Sequence, residues 1–243
     1  GADLRALHTQ PDGYNINRNC GATHLESLQS AVIEHNAFMG IAFDGDGDRC
    51  MGVNSSGKIV DGDALMALLL THPDYTEVPT VVSTVMANQG LEMYLASQGK
   101  KLIRTSVGDK YVVEALIKHA LPLGGEPSGH IILRPFSSTG DGILIALKVL
   151  ETMLITGNYS CTTFAVYPQV CINLTVKEKK DLTQAPLADA ISASTSRLTT
   201  GRLLVRYSGT EPLLRIMVED EDEALCSSVA TTLAQQLHPL LSS

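Results

Sequence analysis

Tryptophan is absent from the 243 residues, and aromatic residues as a whole make up 5%. So few flat rings leave little on which the bases of a single strand could stack. Cations are also in the minority, with 18 Lys+Arg against 26 Asp+Glu and a formal net charge of −8. A phosphate backbone rewards basic surfaces, so this balance argues against nucleic acid as the main partner. Small phosphates stay possible, because a few well-placed cations hold them. Cysteines are scarce and scattered: Cys20, Cys50, Cys161, Cys171 and Cys226 are odd in number and form no C-x-x-C pair. A disulfide framework or a structural zinc site is not expected, and reduced thiols of a cytoplasmic protein are. Long apolar runs are missing too. The longest, 143–155, is interrupted by Lys148 and Glu151, short of the ~18–20 residues that span a bilayer. No signal peptide is read at the start, so no membrane partner is expected.

What is present is a folded chain: 44% hydrophobic and 18% charged residues support a real core, not a disordered tail. Short β-rich runs alternate with amphipathic stretches over the first two thirds, an α/β signature. Residues 1–7 read as strand material, an opening that looks like the inside of a domain. Residues 24–36 predict a helix with Leu25, Leu28, Val32 and Ile33 on its buried face. A buried strand follows at 38–43 and ends at an acidic loop, and the NSSG turn at 54–57 predicts a hairpin.

Asp63 is expected to N-cap a helix over 64–70. Strands then fall at 80–85, 101–105 and 131–133, with helices at 88–98, 110–119 and 142–156. Residues 157–168 are polar and irregular and read as a linker. Strands at 169–176, 201–206 and 213–219, with helices at 187–197 and 223–241, complete the pattern. The acidic run 219–223 reads as a solvated helix start, where carboxylates suit the dipole. The expected architecture is α/β: two βαβ-type domains, the first partial, then an α+β C-terminal domain with an antiparallel sheet. Boundaries fall at 1–62, 63–160 and 161–243.

Four motifs carry chemistry. Asp44, Asp46 and Asp48 stand at alternate positions in DGDGDR after a hydrophobic strand. Glycine-relaxed backbone lets all three carboxylates turn onto one cation, and oxygen-only ligation favours Mg²⁺ over zinc or copper. An acidic surface turn is the plain alternative. An EF-hand is rejected, because its sixth position is Arg49 and its twelfth Ser55, where that loop needs Gly and Glu. A phosphatase with Asp44 as nucleophile stays as a competitor.

The second motif, GGEPSGH at 124–130, offers Glu126 and Ser128 to sugar hydroxyls and places His130 beside Gly129; alone, it could be a turn before a strand. The third, RYSGTEP at 206–212 with Arg215 beyond it, combines backbone N–H groups near Gly209, hydroxyls and guanidinium forks into a phosphate cradle. As a bare pattern it could be a hairpin turn. The fourth places Lys110 at a helix start, where the macrodipole disfavours a cation; either a ligand or plain solvation accounts for it.

In this order the motifs resemble the α-D-phosphohexomutase superfamily: DGDGDR as the metal loop, GExSGH as the sugar loop and RxSGTEP as the phosphate loop. PDGYNIN (11–17), CGATH (20–24), VGDKYV (107–112) and TGDG (139–142) look like the branch that acts on glucosamine phosphates. Phosphoglucomutase and phosphomannomutase relatives share the core loops and stay as alternatives, as does a non-catalytic sugar-phosphate-binding module.

The resemblance implies an isomerase that moves a phosphoryl group between C6 and C1 through a sugar 1,6-bisphosphate, on the way to UDP-N-acetylglucosamine and cell-wall precursors. Family members carry a phosphoserine in an S-H-N motif of a first domain. No S-H-N occurs here, so that nucleophile and any homodimer contact are expected in parts outside this chain. By the same resemblance Asp44, Asp46 and Asp48 hold Mg²⁺; Arg49, Lys110 and His130 are the catalytic candidates. Glu126 and Ser128 grip the sugar; Arg206, Ser208, Gly209, Thr210 and Arg215 grip phosphate.

Overall fold

The computed structural model describes residues 1–209 and 211–242. The chain divides into two compact units, Gly1–Ala165 and Val166–Ser243.

In the first unit, residues 1–25 form no helix or strand. The strand expected at 1–7 is therefore absent: a strand needs a neighbour's backbone, and these residues are exposed with no pairing partner among the described residues. Helix α1 (Glu26–Glu34) buries Val32 but leaves Ile33 53% exposed, so its apolar face is narrower than expected.

Strands β1 (Met39–Phe43), β2 (Cys50–Asn54) and β3 (Ile59–Val60) pair antiparallel in that order. This corrects the βαβ expectation for residues 1–62. The loops at 44–49 and 55–58 are far too short for the crossover that parallel pairing requires, and the result is a meander. Its register sets Phe43 opposite Cys50, so the whole acidic motif is the connection between two paired strands.

Helix α2 (Gly62–Leu69) has almost no polar face, and Leu65, Met66, Leu68 and Leu69 are fully buried. Each such side chain contributes ~1.5–3 kcal/mol relative to exposure. Its N-cap is Asp61, whose side chain accepts from the Ala64 N–H at 2.9 Å. Asp63, the expected cap, lies inside the first turn and instead accepts from the Asn88 N–H at 2.7 Å.

A second sheet has the order β5-β4-β6-β7, built from β4 (Thr80–Thr84), β5 (Lys101–Thr105), β6 (Leu123–Gly125) and β7 (Ile131–Leu133). Strand β4 is parallel to β5 and β6, and β7 returns antiparallel. Helices α3 (Gln89–Ser97), α4 (Asp109–Lys118) and α5 (Gly142–Thr156) connect or follow these strands. Strand β6 was not expected, because two of its three residues are glycines with little strand preference. One apolar core joins both sheets, running from Cys50 and Val60 through α2 to Leu91, Leu133, Ile145 and Met153.

The second unit is the expected α+β fold. Strands β8 (Gln169–Thr175), β9 (Arg202–Tyr207) and β10 (Leu213–Glu219) lie antiparallel in the order β8-β10-β9. Helices α6 (Leu187–Thr195) and α7 (Glu223–Ser242) pack with them, with Leu214, Ile216 and Val218 of β10 against Val229, Leu233 and Leu237 of α7.

The acidic run 219–223 is split: Glu221, Asp222 and Glu223 are exposed at the helix start, as expected, but Glu219 and Asp220 are buried. Glu219 is fully buried and pairs with Arg202 at 2.5 Å, while Asp220 accepts from the Thr199 and Gly201 N–H groups. Asp222 acts at the helix start, accepting from Ala224 N–H at 2.9 Å. Among the described residues, no helix is long and apolar enough to cross a membrane.

Burial pushes the Cys50 thiol up to about 12 and the Cys161 thiol up to about 11, and Cys226 is fully buried. Alkylation of the native chain near pH 8 is expected to label Cys171 and Cys20 first. The other three should wait for unfolding; rapid labelling of Cys50 in a mass-spectrometric time course would contradict this core.

Candidate functional site

The acidic loop brings together what its spacing promised. Oxygens of Asp44, Asp46 and Asp48 all lie within 4.8 Å of one another, with Asp46 exposed and the other two half-buried. Burial raises the Asp48 carboxyl above its ordinary value; His130 opposes the rise, and Asp44 and Asp46 add to it as like charges. Among the described residues, Asp48 Oδ1 has no hydrogen-bond partner. An oxygen-only set with strained like charges and an open acceptor fits a hard divalent cation such as Mg²⁺.

Three anchors hold the loop. Arg49 Nε lies 3.4 Å from Asp44 Oδ2 and 3.9 Å from Asp48 Oδ1. Gly47 takes φ +73°, the left-handed turn glycine allows, and its carbonyl accepts from the Gly142 N–H at 2.9 Å. A Cβ at Gly142 would stand 2.5 Å from the Arg49 carbonyl oxygen and 2.8 Å from that of Gly47. Only glycine lets the start of α5 approach so closely. This contact lies in the TGDG stretch, whose residues had no assigned role in the sequence reading.

The 124–130 loop is laid against the start of β2. The Gly129 carbonyl accepts from the Cys50 N–H at 3.0 Å, and Arg49 and His130 form a single antiparallel bridge. His130 is 3% exposed, with Nε2 3.4 Å from Asp48 Oδ2 and, among the described residues, no hydrogen-bond partner for Nδ1. Glu126 Oε1 accepts from the Gly108 N–H at 3.2 Å, which ties the sugar loop to the turn before α4. Lys110 sits exposed in the first turn of α4, its Nζ 4.7 Å from the Tyr111 ring centroid. Ser128 is exposed.

In the second unit the third motif is the β9–β10 connection. Arg206 and Arg215 stand directly opposite in register, on one face of the sheet. Arg215 Nη2 donates to Glu211 Oε2 at 2.8 Å and lies 3.5 Å from Ser208 Oγ, which accepts from the Glu211 N–H at 3.3 Å. Gly209 is exposed, and Thr210 lies outside the described residues. Lys179, which the sequence reading did not single out, donates from Nζ to the Ser208 carbonyl at 2.8 Å. It stands 29 positions away in sequence, so no local motif could have found it.

The phosphoglucomutase/phosphomannomutase alpha/beta/alpha domain III model matches residues 61–168, and the phosphoglucomutase/phosphomannomutase C-terminal domain model matches residues 172–236. The chain belongs to this family. It is 45% identical over 242 residues to phosphoglucosamine mutase of Parvibaculum lavamentivorans, covering 96% of this chain and 54% of that protein. The corresponding enzyme of Rhodococcus jostii is 44% identical with the same coverage. The chain thus spans about half the length of the curated relatives it matches.

Among solved structures, Aspergillus fumigatus N-acetylphosphoglucosamine mutase in complex with GlcNAc-6P and magnesium superposes with a TM-score of 0.72 at 19% identity. That match covers 93% of this chain and 54% of that one. A phosphoglucomutase/phosphomannomutase family protein from Burkholderia thailandensis gives 0.71 at 21%, covering 89% and 50%. These last two likenesses speak to the fold.

Gly142→Ala should push the start of α5 away from the acidic loop. Magnesium affinity by calorimetric titration is expected to fall about tenfold or more, with ~1–3 kcal/mol lost in unfolding experiments, the usual cost of overpacking. Wild-type affinity in this variant would show that the loop does not depend on the helix.

Proposed function

We propose that the chain is the metal-, sugar- and phosphate-handling part of a phosphoglucosamine mutase, which interconverts glucosamine 6-phosphate and glucosamine 1-phosphate. The observation that carries this reading is the convergence of Asp44, Asp46 and Asp48 beside Arg49 and His130. The relatives' names add the amino sugar. The proposed domains are 1–62, 63–160 and 161–243, bearing the metal, sugar and phosphate loops in turn.

In this reading a phosphoserine outside the chain gives its phosphoryl group to the C1 hydroxyl of glucosamine 6-phosphate, and the hydroxyl proton leaves to a base. The bisphosphate turns over in the site, and its C6 phosphoryl returns to the serine, with a proton returned to the C6 oxygen. Magnesium held by Asp44, Asp46 and Asp48 supplies positive charge against the transferring phosphoryl group.

The chain's own residues do the rest. Arg49 lies beside Asp44 and Asp48 and offers its fork to the phosphoryl oxygens. His130 and Lys110 are the groups assigned to the hydroxyl proton or a phosphate oxygen. Glu126 and Ser128 grip the sugar hydroxyls in either orientation, and Arg206, Ser208, Gly209, Thr210 and Arg215 anchor the phosphate that does not react.

The reading also carries a cytoplasmic setting, no nucleic-acid or membrane partner, and a homodimer made through parts outside the chain. One Aspergillus fumigatus neighbour was solved with glucose 1,6-bisphosphate, which supports a bisphosphate as the intermediate here.

Mass, phosphorylation and turnover of the endogenous protein test it, together with two variants. The endogenous protein should have an intact mass well above 26.0 kDa, carry one phosphoserine, and convert glucosamine 6-phosphate faster than glucose or mannose 6-phosphate. A 26.0 kDa protein with no phosphoserine and no turnover would leave only a binding module. At the level of single residues, Asp46→Asn should weaken magnesium binding with little change in folding. Arg206→Ala should cost ~1.5–3 kcal/mol in sugar-phosphate affinity, the range for charge-assisted hydrogen bonds.

A further inference from the structure

We propose that Lys179 is a positioning residue of the phosphate loop, fixing the Ser208–Gly209 peptide so that the Gly209 N–H serves a phosphate dianion. The proposal rests on reading 206–212 as the phosphate anchor.

The geometry starts from the 2.8 Å bond between Lys179 Nζ and the Ser208 carbonyl. A trans peptide is planar, with its C=O and N–H pointing opposite ways. A cation that holds the Ser208 carbonyl therefore turns the Gly209 N–H to the other side, away from Lys179. Among the described residues no backbone acceptor takes that N–H. Ser208 itself is held by its N–H on the Leu213 carbonyl at 2.8 Å, whereas Gly209 has no side chain and a Cβ there would touch nothing within 4 Å.

Lys179 is itself held in place. Tyr207, the residue before Ser208, reaches back with its hydroxyl, accepting from the Lys180 N–H at 2.9 Å and donating to the Lys180 carbonyl at 2.8 Å. This two-point latch fastens the segment carrying Lys179 to the end of β9. The neighbouring Lys180 is committed elsewhere, with Nζ on the Leu240 carbonyl at 2.7 Å. Of the two adjacent lysines, only Lys179 serves the loop.

Charge supports the same assignment. Arg206 and Arg215 face each other across the strands, a like-charge pair that costs energy without an anion. Lys179 adds a third cation, and Glu211 returns one negative charge through Arg215. The Arg206–Arg215 pair, only partly neutralised by Glu211, is a cationic face in a chain whose net charge is −8, and a phosphate anion would relieve its repulsion. The Lys179 ammonium itself stays on the Ser208 carbonyl, so it acts through the peptide and is not a direct phosphate ligand.

The test uses the full 243-residue chain, isotope-labelled at nitrogen, titrated with inorganic phosphate. Lys179→Met is expected to weaken phosphate binding about three- to tenfold, the modest scale of one charge-assisted contact from an exposed side chain. It should also abolish most of the phosphate-induced shift of the Gly209 amide, and Lys179→Arg should restore both. Arg206→Ala separates the two claims. If Arg206→Ala weakens binding while Lys179→Met leaves affinity and the Gly209 shift as in the wild type, the positioning role is overturned and the anchor stands. If Lys179→Met weakens binding but leaves the Gly209 shift intact, Lys179 is only a nearby charge and positioning is again overturned. If Arg206→Ala has no effect, the anchor reading fails and takes this proposal with it.

Discussion

Like charges brought within 4.8 Å of one another are the constraint around which the first unit is arranged. Three carboxylates do not stay together on a free loop, because mutual repulsion spreads them. Here the loop is closed at both ends by the Phe43–Cys50 pair of an antiparallel hairpin. It is held from one side by the start of α5 and from the other by Arg49 and the His130 loop. The cost of that convergence shows in Asp48, whose carboxyl is pushed above its ordinary value by burial and by its acidic neighbours.

The core explains why the clamp is rigid. Helix α2 is buried almost all round and lies between the meander and α5, so β2, β3 and α5 share one apolar cluster with β4 and β7. The acidic loop and the sugar loop both leave strands rooted in that cluster. Fully buried leucines and methionines thus underlie the spacing of the three carboxylates, and the polar site inherits the stiffness of the packing beneath it.

The second unit solves the opposite problem. Its hairpin gathers cations, with Arg206 opposite Arg215 and Lys179 brought in from a distant loop. Glu211 gives partial neutralisation through Arg215. Beneath the hairpin, β10 presents Leu214, Ile216 and Val218 to α7 on one face while Arg215 stays on the other. Strand alternation alone sends those side chains to opposite sides.

Much of this was legible in one dimension. Strands 101–105, 131–133 and 213–219 and helix 142–156 matched the structure to the residue, because each is a run bounded by Gly, Pro or polar residues. The acidic motif was legible because its residues are local: alternate positions of a tight loop can turn to one side, though holding the three carboxylates together takes the hairpin and α5. Failures came where a distant partner decided. Residues 1–7 have strand composition but no strand beside them, and Asp63 looked like a cap until Asn88 claimed its side chain. Glu219 looked solvated until Arg202 and the fold buried it.

By itself, then, the sequence determined which side chains could carry the chemistry and the order in which the loops come, since both are properties of neighbours along the chain. Tertiary structure alone decided that the first sheet is a meander, that Gly142 must be small, that His130 lies against Asp48, and that Lys179 bonds the Ser208 carbonyl. Those are contacts between segments far apart in sequence, and only the packing of a shared core brings such segments within bonding distance.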